Sequence, residues 1–223
     1  MSRLFAVPPW DEVRRRLVPL LVGLVLCGVA FGCTVRAELG LDPWDVLHEG
    51  ISDRTGIPIG SVSILVGVVV VLGWIPLRQR LGLGTIANAI IIGAVMDLVI
   101  PRLPHPGDLP TRWGLLITGL VLAGPGVGMY IGARLGPGPR DGIMTGLAER
   151  GPSIRLVRTG IELCALAGGF LLGGTVGIGT VLFALTIGPN TQFWLERLDL
   201  GHPPGFEPRL DVEVEPDPTL AGS

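Results

Sequence analysis

Gly40-Leu-Asp-Pro-Trp-Asp-Val-Leu-His-Glu-Gly50 and Gly136-Pro-Gly-Pro-Arg-Asp-Gly-Ile-Met-Thr-Gly146 are two versions of one element, and their relation decides the fold. At an offset of 96 residues Gly40, Pro43, Asp45 and Gly50 fall on Gly136, Pro139, Asp141 and Gly146. The apolar run before each copy carries the same glycines: Gly23, Gly28 and Gly32 recur as Gly119, Gly124 and Gly128. One residue is lost near Gly151, after which Gly82-Leu-Gly-Thr85 matches Gly177-Ile-Gly-Thr180. Ala89, Ile92 and Gly93 then match Ala184, Ile187 and Gly188. A period marked at so many positions is an architectural repeat.

The composition says where such a repeat can live. Of the 223 residues 48% are hydrophobic and only 16% charged, with a mean hydropathy of +0.58, whereas soluble domains carry about 25% charge. Runs of apolar residues long enough to cross a bilayer recur along the chain. The bilayer is therefore the first expected partner. A net charge of −2 with no basic patch argues against nucleic acid. Cys27, Cys33 and Cys164 lie in apolar runs without a second ligand at metal spacing, and read as packing residues.

Six spans are expected: Leu17–Val35, Pro58–Leu77, Leu83–Ile100, Trp113–Ala133, Ile154–Gly173 and Ile178–Leu195. The fold class is thus all-α and polytopic. Residues 1–16 form an N-terminal segment, 17–101 the first three-helix repeat and 102–112 a proline-rich linker. Residues 113–195 form the second repeat, and 196–223 an acidic, proline-containing tail expected to be disordered. Arg78-Gln79-Arg80 reads as a tight turn. Three spans per repeat is an odd number, so the second half enters from the opposite side and the halves are inverted. This topology puts thirteen of the 17 arginines on one side. That side is expected to be cytoplasmic, with both termini inside and the linker outside.

In Asp42-Pro43-Trp44-Asp45 the order suits an N-cap, a proline at the first helical position and a carboxylate at the third. Gly138-Pro139-Arg140-Asp141 repeats it with glycine as cap. Each short helix covers about half of the hydrocarbon core, so it is interfacial or re-entrant. Pro43, Asp45, Pro139 and Asp141 then either simply start helices or border a central pathway. Along the first half-helix Trp44, Leu47, His48 and Ile51 share one face, and Asp45, Glu49 and Ser52 another. His48, a lone interfacial histidine, is not expected to be a ligand.

Arg158 and Glu162 stand four apart inside an apolar run, where burial of either would be costly. Their repeat positions hold Ser63 and Gly67, so the pair breaks the symmetry. It reads either as a structural i,i+4 ion pair or as the contact for a substrate or ion, with Asn88 as a weaker polar candidate. Asp97 is expected near the outer end of its helix, in reach of water. Gly82, Gly84, Thr85, Gly177, Gly179 and Thr180 read as tight packing turns, with an anion cradle as the alternative. No hydrolytic or metal motif is present, and no cofactor is expected. The chain does not read as an enzyme.

The segments 40–48, 82–88, 138–144 and 154–162 together resemble the bacterial YczE-type integral membrane proteins, which are related more distantly to the YitT type. The resemblance covers about residues 15–195. It implies a bacterial cytoplasmic-membrane protein and names no substrate. The expected function is a small permease or secondary transporter for a small solute or ion. The alternative is a non-transporting accessory or regulatory protein that binds a partner through its helices. Glycine-rich faces suit internal packing and a homodimer equally.

Overall fold

The computed structural model describes residues 9–77, 79 and 81–201. Arg78 and Arg80 of the expected turn, the first eight residues and the acidic tail from His202 lie outside the described residues. Among the described residues the secondary structure is helical, without a β-strand. The first half contains α1 (Trp10–Ala37), α2 (Pro43–Thr55), α3 (Ile59–Leu72), the single turn α4 (Trp74–Leu77) and α5 (Leu83–Val99). A 3-10 turn, Ile100–Arg102, leads into the second half. That half contains α6 (Leu109–Gly132), α7 (Pro139–Ala148), α8 (Ile154–Leu172) and α9 (Ile178–Leu198).

Among the described residues four helical stretches are long and apolar enough to cross a membrane: Trp10–Ala37, Ile59–Leu77, Leu83–Arg102 and Leu109–Gly132. Their outer faces carry large apolar side chains such as Val18, Leu65, Val69, Ile90 and Val121, which suit contact with lipid rather than water. The fifth and sixth expected spans, α8 and α9, have the length but not the apolarity. Arg155, Arg158 and Glu162 charge α8, while Asn190 and Gln192 make the second half of α9 polar.

Helix boundaries differ from the sequence expectation at three places. α1 starts at Trp10 instead of near Leu17, because Asp11 and Glu12 occupy the first turn and Glu12 pairs with Arg16 at 2.9 Å. Arg16, the last of three successive arginines (Arg14, Arg15, Arg16), is buried, and its guanidinium donates to Ala133 O and Gly201 O. α6 begins inside the linker at Leu109, with Pro110 in its first turn. α9 continues through Glu196 and Arg197 to Leu198.

The core is the antiparallel pair α1 and α6. A Cβ on Gly23 would stand 2.7 Å from Gly126 O, and one on Gly119 would stand 2.7 Å from Ala30 O. The two backbones therefore touch at both ends of the crossing, with glycine as the only residue that fits. These contacts are reciprocal under the 96-residue offset. Arg112 at the start of α6 pairs with Glu38 just past α1, as Arg16 at the start of α1 bonds Ala133 just past α6. Glu38 and Arg134 both adopt left-handed φ values, 53° and 54°.

Both Gly-x-Gly-Thr turns dock across the halves. Gly84 N donates to Leu135 O at 2.8 Å, and Gly179 N donates to Leu39 O at 2.7 Å. Inside each turn the threonine hydroxyl accepts from the glycine N–H, Gly82 to Thr85 and Gly177 to Thr180. The glycine N–H groups of both turns are therefore bonded within the protein, as close packing requires. Gly40 and Gly136, at φ of 111° and 129°, let the chain turn tightly against Gly177 and Gly82.

Candidate functional site

Five residues separate α1 from α2, and six lie between α6 and α7. These short links bring the first turns of α2 and α7 together in the interior. Asp42 is the N-cap of α2, and its Oδ1 accepts from Trp44 N at 2.8 Å and Asp45 N at 3.2 Å. In α7 the cap works in reverse: Gly138 has no side chain, and Asp141 Oδ2 accepts from Gly138 N at 3.2 Å and from the Tyr130 hydroxyl at 3.2 Å. Each helix start thus holds a carboxylate on its positive end, which stabilises the ionised form.

Arg140, the second residue of α7, joins the two. Its guanidinium lies 3.6 Å from Asp42 Oδ1 and 3.8 Å from Asp45 Oδ1, and its Cζ sits 5.0 Å from the centre of the Trp44 ring. Trp44 and Arg140 occupy the same place in the two repeats. Repeat-equivalent residues that touch each other lie where the two halves meet.

His48 completes the cluster, with Nδ1 3.0 Å from Asp45 Oδ1. Asp45 and His48 are each 1% exposed, so the histidine is enclosed by protein. α2 buries Trp44, Asp45, Val46, His48 and Gly50, drawn from both of its faces, while Glu49 and Ser52 are half-buried. The reason is packing: Gly50 and Gly169 let α2 and α8 approach backbone to backbone, where a Cβ on Gly169 would stand 2.4 Å from Leu47 N. Burial pushes the imidazole down to about 3, with Arg140 adding to the effect, so His48 is neutral and shares a hydrogen bond with Asp45 through Nδ1. Burial and the neighbouring Asp45 push Asp42 up to about 7, against the pull of Arg140. Asp45 and Asp141 are raised by burial as well; Arg140 opposes the first, and the Tyr130 and Gly138 hydrogen bonds oppose the second. Two buried atoms here have no hydrogen-bond partner, Asp45 Oδ2 and Trp44 Nε1.

The other sequence candidates lie apart from this centre or at its edge. Arg158 and Glu162 pair with each other at 2.9 Å on α8, where Arg158 is 61% and Glu162 34% exposed. That geometry is the i,i+4 ion pair, although Arg158 is close enough to act on Asp141. Asn88 borders the α7 cap: a Cβ on Gly138 would meet Asp141 Oδ2 at 3.0 Å, Tyr130 Oη at 3.3 Å and Asn88 Nδ2 at 3.5 Å. Asp97 is half-buried near the end of α5. It accepts from Gly60 N at 2.7 Å and Ser61 Oγ at 2.6 Å, capping α3 from α5. Pro43 and Pro139 occupy the first helical positions as the pattern requires.

Sequence reasoning missed Arg140 and Tyr130 and undervalued Asp42 and His48. A signal existed for Arg140, since a charge replaces Trp44 inside an otherwise shared motif. Tyr130, the only tyrosine, carried none.

Trp44 also walls a groove of about 690 Å³ between α2, α7 and α8. Leu47, Leu147, Val157, Ile161 and Cys164 make its lining apolar.

A helical membrane protein with a charged cluster buried between two half-helix starts is the class these features define. The chain belongs to a family of unknown function, DUF6198, which it matches over residues 14–196. An uncharacterized protein of Haemophilus influenzae is 41% identical over 187 residues, 83% of this chain and 86% of the relative. The uncharacterized membrane protein YczE of Bacillus subtilis is 36% identical over 184 residues, 78% of this chain and 83% of its own. YyaS of the same organism, also uncharacterized, is 27% identical over 168 residues. The YczE resemblance read from the motifs is thereby shown. No solved structure gives a significant match.

Proposed function

We propose that this chain is a secondary transporter for a small solute, built from six spans in two inverted halves, with both termini on the cytoplasmic side of a bacterial inner membrane. The observation that carries the reading is the meeting of the α2 and α7 starts around Arg140. In an antiparallel α1–α6 pair the two helices end on opposite faces. Five linking residues, at about 3.3 Å each, reach back roughly 16 Å, half the hydrocarbon thickness. Both half-helices then begin near the bilayer centre and run outward, one toward each face, which makes them re-entrant. A polar site between such half-helices is the arrangement inverted-repeat transporters use.

The reciprocal contacts at Gly23 and Gly119, Arg16 and Arg112, and Gly84 and Gly179 support the inversion. α8 and α9, at 19 and 21 residues, serve as the remaining spans. The charges of α8 sit in its first half and lean on one another. The reading favours transport over catalysis, since the cluster offers charge recognition and no activated nucleophile. The groove beside Trp44 favours a second reading, an accessory protein that seats a partner helix or lipid.

Proteoliposomes of the purified chain test the first reading with panels of cationic, anionic and neutral solutes. Uptake above empty liposomes, lost in Asp45→Asn, is the expected result. No difference between wild type, Asp45→Asn and empty vesicles across all three panels would favour the accessory role. Impermeant thiol labelling of single cysteines at Gly107 and Arg150 tests the topology, with opposite-face labelling expected.

A further inference from the structure

The cluster contains more acid than base. Asp42 and Asp45 face one arginine, and His48 is neutral. Asp45 Oδ2, almost fully buried, has no hydrogen-bond partner. A buried carboxyl oxygen in that situation is costly unless something satisfies it. Arg140 does so only in part. At 3.6 and 3.8 Å its nitrogens stand beyond hydrogen-bonding distance from the two carboxylates, and its side chain is 32% exposed. The guanidinium also lies over the Trp44 ring at cation–π range.

We infer that Asp42, Asp45 and Trp44 form a binding site for a small organic cation, an amine or guanidinium group, in which Arg140 stands as an internal substitute for the ligand. This assigns a substrate class to the proposed transport site and rests on that reading. Two carboxylates beside an aromatic face are the recognition set for such a cation. The carboxylates supply directed acceptors, and the ring tolerates the apolar stem that a bare ion lacks. A divalent metal wants several oxygen or nitrogen ligands at about 2.0–2.6 Å. Among the described residues no three His, Cys, Asp or Glu side chains converge to provide them.

Arg140 can leave without unfolding anything. It sits on the first turn of a short helix, its contacts are long, and the helix is capped independently by Asp141. An arriving cation takes the acceptors of Asp42 and Asp45, and the guanidinium swings out to the partly open side. The opposite chemistry, an anion held by Arg140 and the α7 start, predicts the reverse response of Arg140.

Two measurements decide between them. The first is thermal shift of the purified protein with ethylamine, putrescine and agmatine, with acetate and phosphate as controls. Saturable stabilisation by the amines is expected, with roughly tenfold tighter apparent binding in Arg140→Gln, where the internal competitor is gone. Binding should vanish in Arg140→Gln/Asp45→Asn. Stabilisation by anions alone, or amine binding that survives the double variant, overturns the inference. The second measurement needs only wild type: modification of Arg140 by phenylglyoxal, read by mass spectrometry with exposed Arg158 as internal reference. Amines should accelerate it several-fold by displacing the side chain. An unchanged or slower rate overturns the inference even if Arg140→Gln fails to fold. Amine binding without uptake would remove transport and leave the site, whereas uptake of solutes with no amine binding would remove the site and leave transport.

Discussion

Substituting Gly142 by alanine should destabilise the protein through one identifiable atom pair, and a second substitution should repair it. A Cβ on Gly142 would stand 2.0 Å from Trp74 Cζ2, a distance no real contact adopts. Trp74 is buried, and its indole N–H donates to Pro139 O at 3.0 Å, tying α4 to the start of α7. Moving the ring costs about 1–3 kcal/mol of overpacking, plus about 1–3 kcal/mol where the buried N–H loses its acceptor. Trp74→Leu alone removes bulk and that hydrogen bond, and should cost about 2–4 kcal/mol. Together the two changes should cost less than their sum by about 1–2 kcal/mol, because the smaller side chain leaves room for the new methyl.

The repeat supplies the control. Val46 and Gly169 stand where Gly142 and Trp74 stand in the other half. There a Cβ on Gly169 meets backbone, Leu47 N at 2.4 Å and Val46 C at 2.5 Å. Gly169→Ala should be at least as damaging, and trimming Val46 to alanine should not rescue it. The assay is unfolding by titration with sodium dodecyl sulfate in mixed micelles, with a double-variant cycle at each site. Additivity at Trp74/Gly142, or rescue at Val46/Gly169, would refute the packing argument.

Acidification should stabilise the wild type. The folded-state pKa of Asp42 is raised from 3.8 to about 7, so between those values the folded form holds a proton that the unfolded form has lost, and stability falls as pH rises through 7. Unfolding midpoints measured from pH 5 to 8 should decline, and Asp42→Asn should make the profile less steep, with Asp45 and Asp141 keeping a share of it; an identical slope in the variant would remove Asp42 as a source. Asp42→Ala should cost about 1 kcal/mol as a lost helix cap, while Asp42→Asn keeps most of it. Glu162→Gln should leave any uptake unaltered, since the pair stands apart from the cluster around Arg140; lost uptake with intact folding would return this pair to the mechanism. Gly40→Ala should sharply lower the yield of folded protein, since φ is 111° and a Cβ would lie 2.5 Å from Gly177 N. Gly56→Ala, at φ of 73° with open space around it, should cost only about 1 kcal/mol of backbone strain.

The sequence by itself determined the class of molecule and the joints of its repeat. Apolar runs, capping residues and glycines act through local rules, so Pro43, Pro139, Gly40 and Gly136 could be placed without coordinates. The glycine pairs were legible as marks of symmetry, because a close backbone approach tolerates no other residue and is kept in both halves. Which polar groups met was decided only by the tertiary structure. Arg140 lies roughly a hundred residues from Asp42 in the chain, and no periodicity links a guanidinium to carboxylates in another helix. Charges inside an apolar segment mark Arg158 and Glu162 in the sequence, and the structure gives them an i,i+4 contact with each other on α8, apart from the carboxylates that Arg140 faces. The burial of α2 was likewise decided by tertiary packing: its sequence fits an interfacial or a re-entrant helix equally, and Gly50 and Gly169 let α8 approach it closely enough to enclose Asp45 and His48.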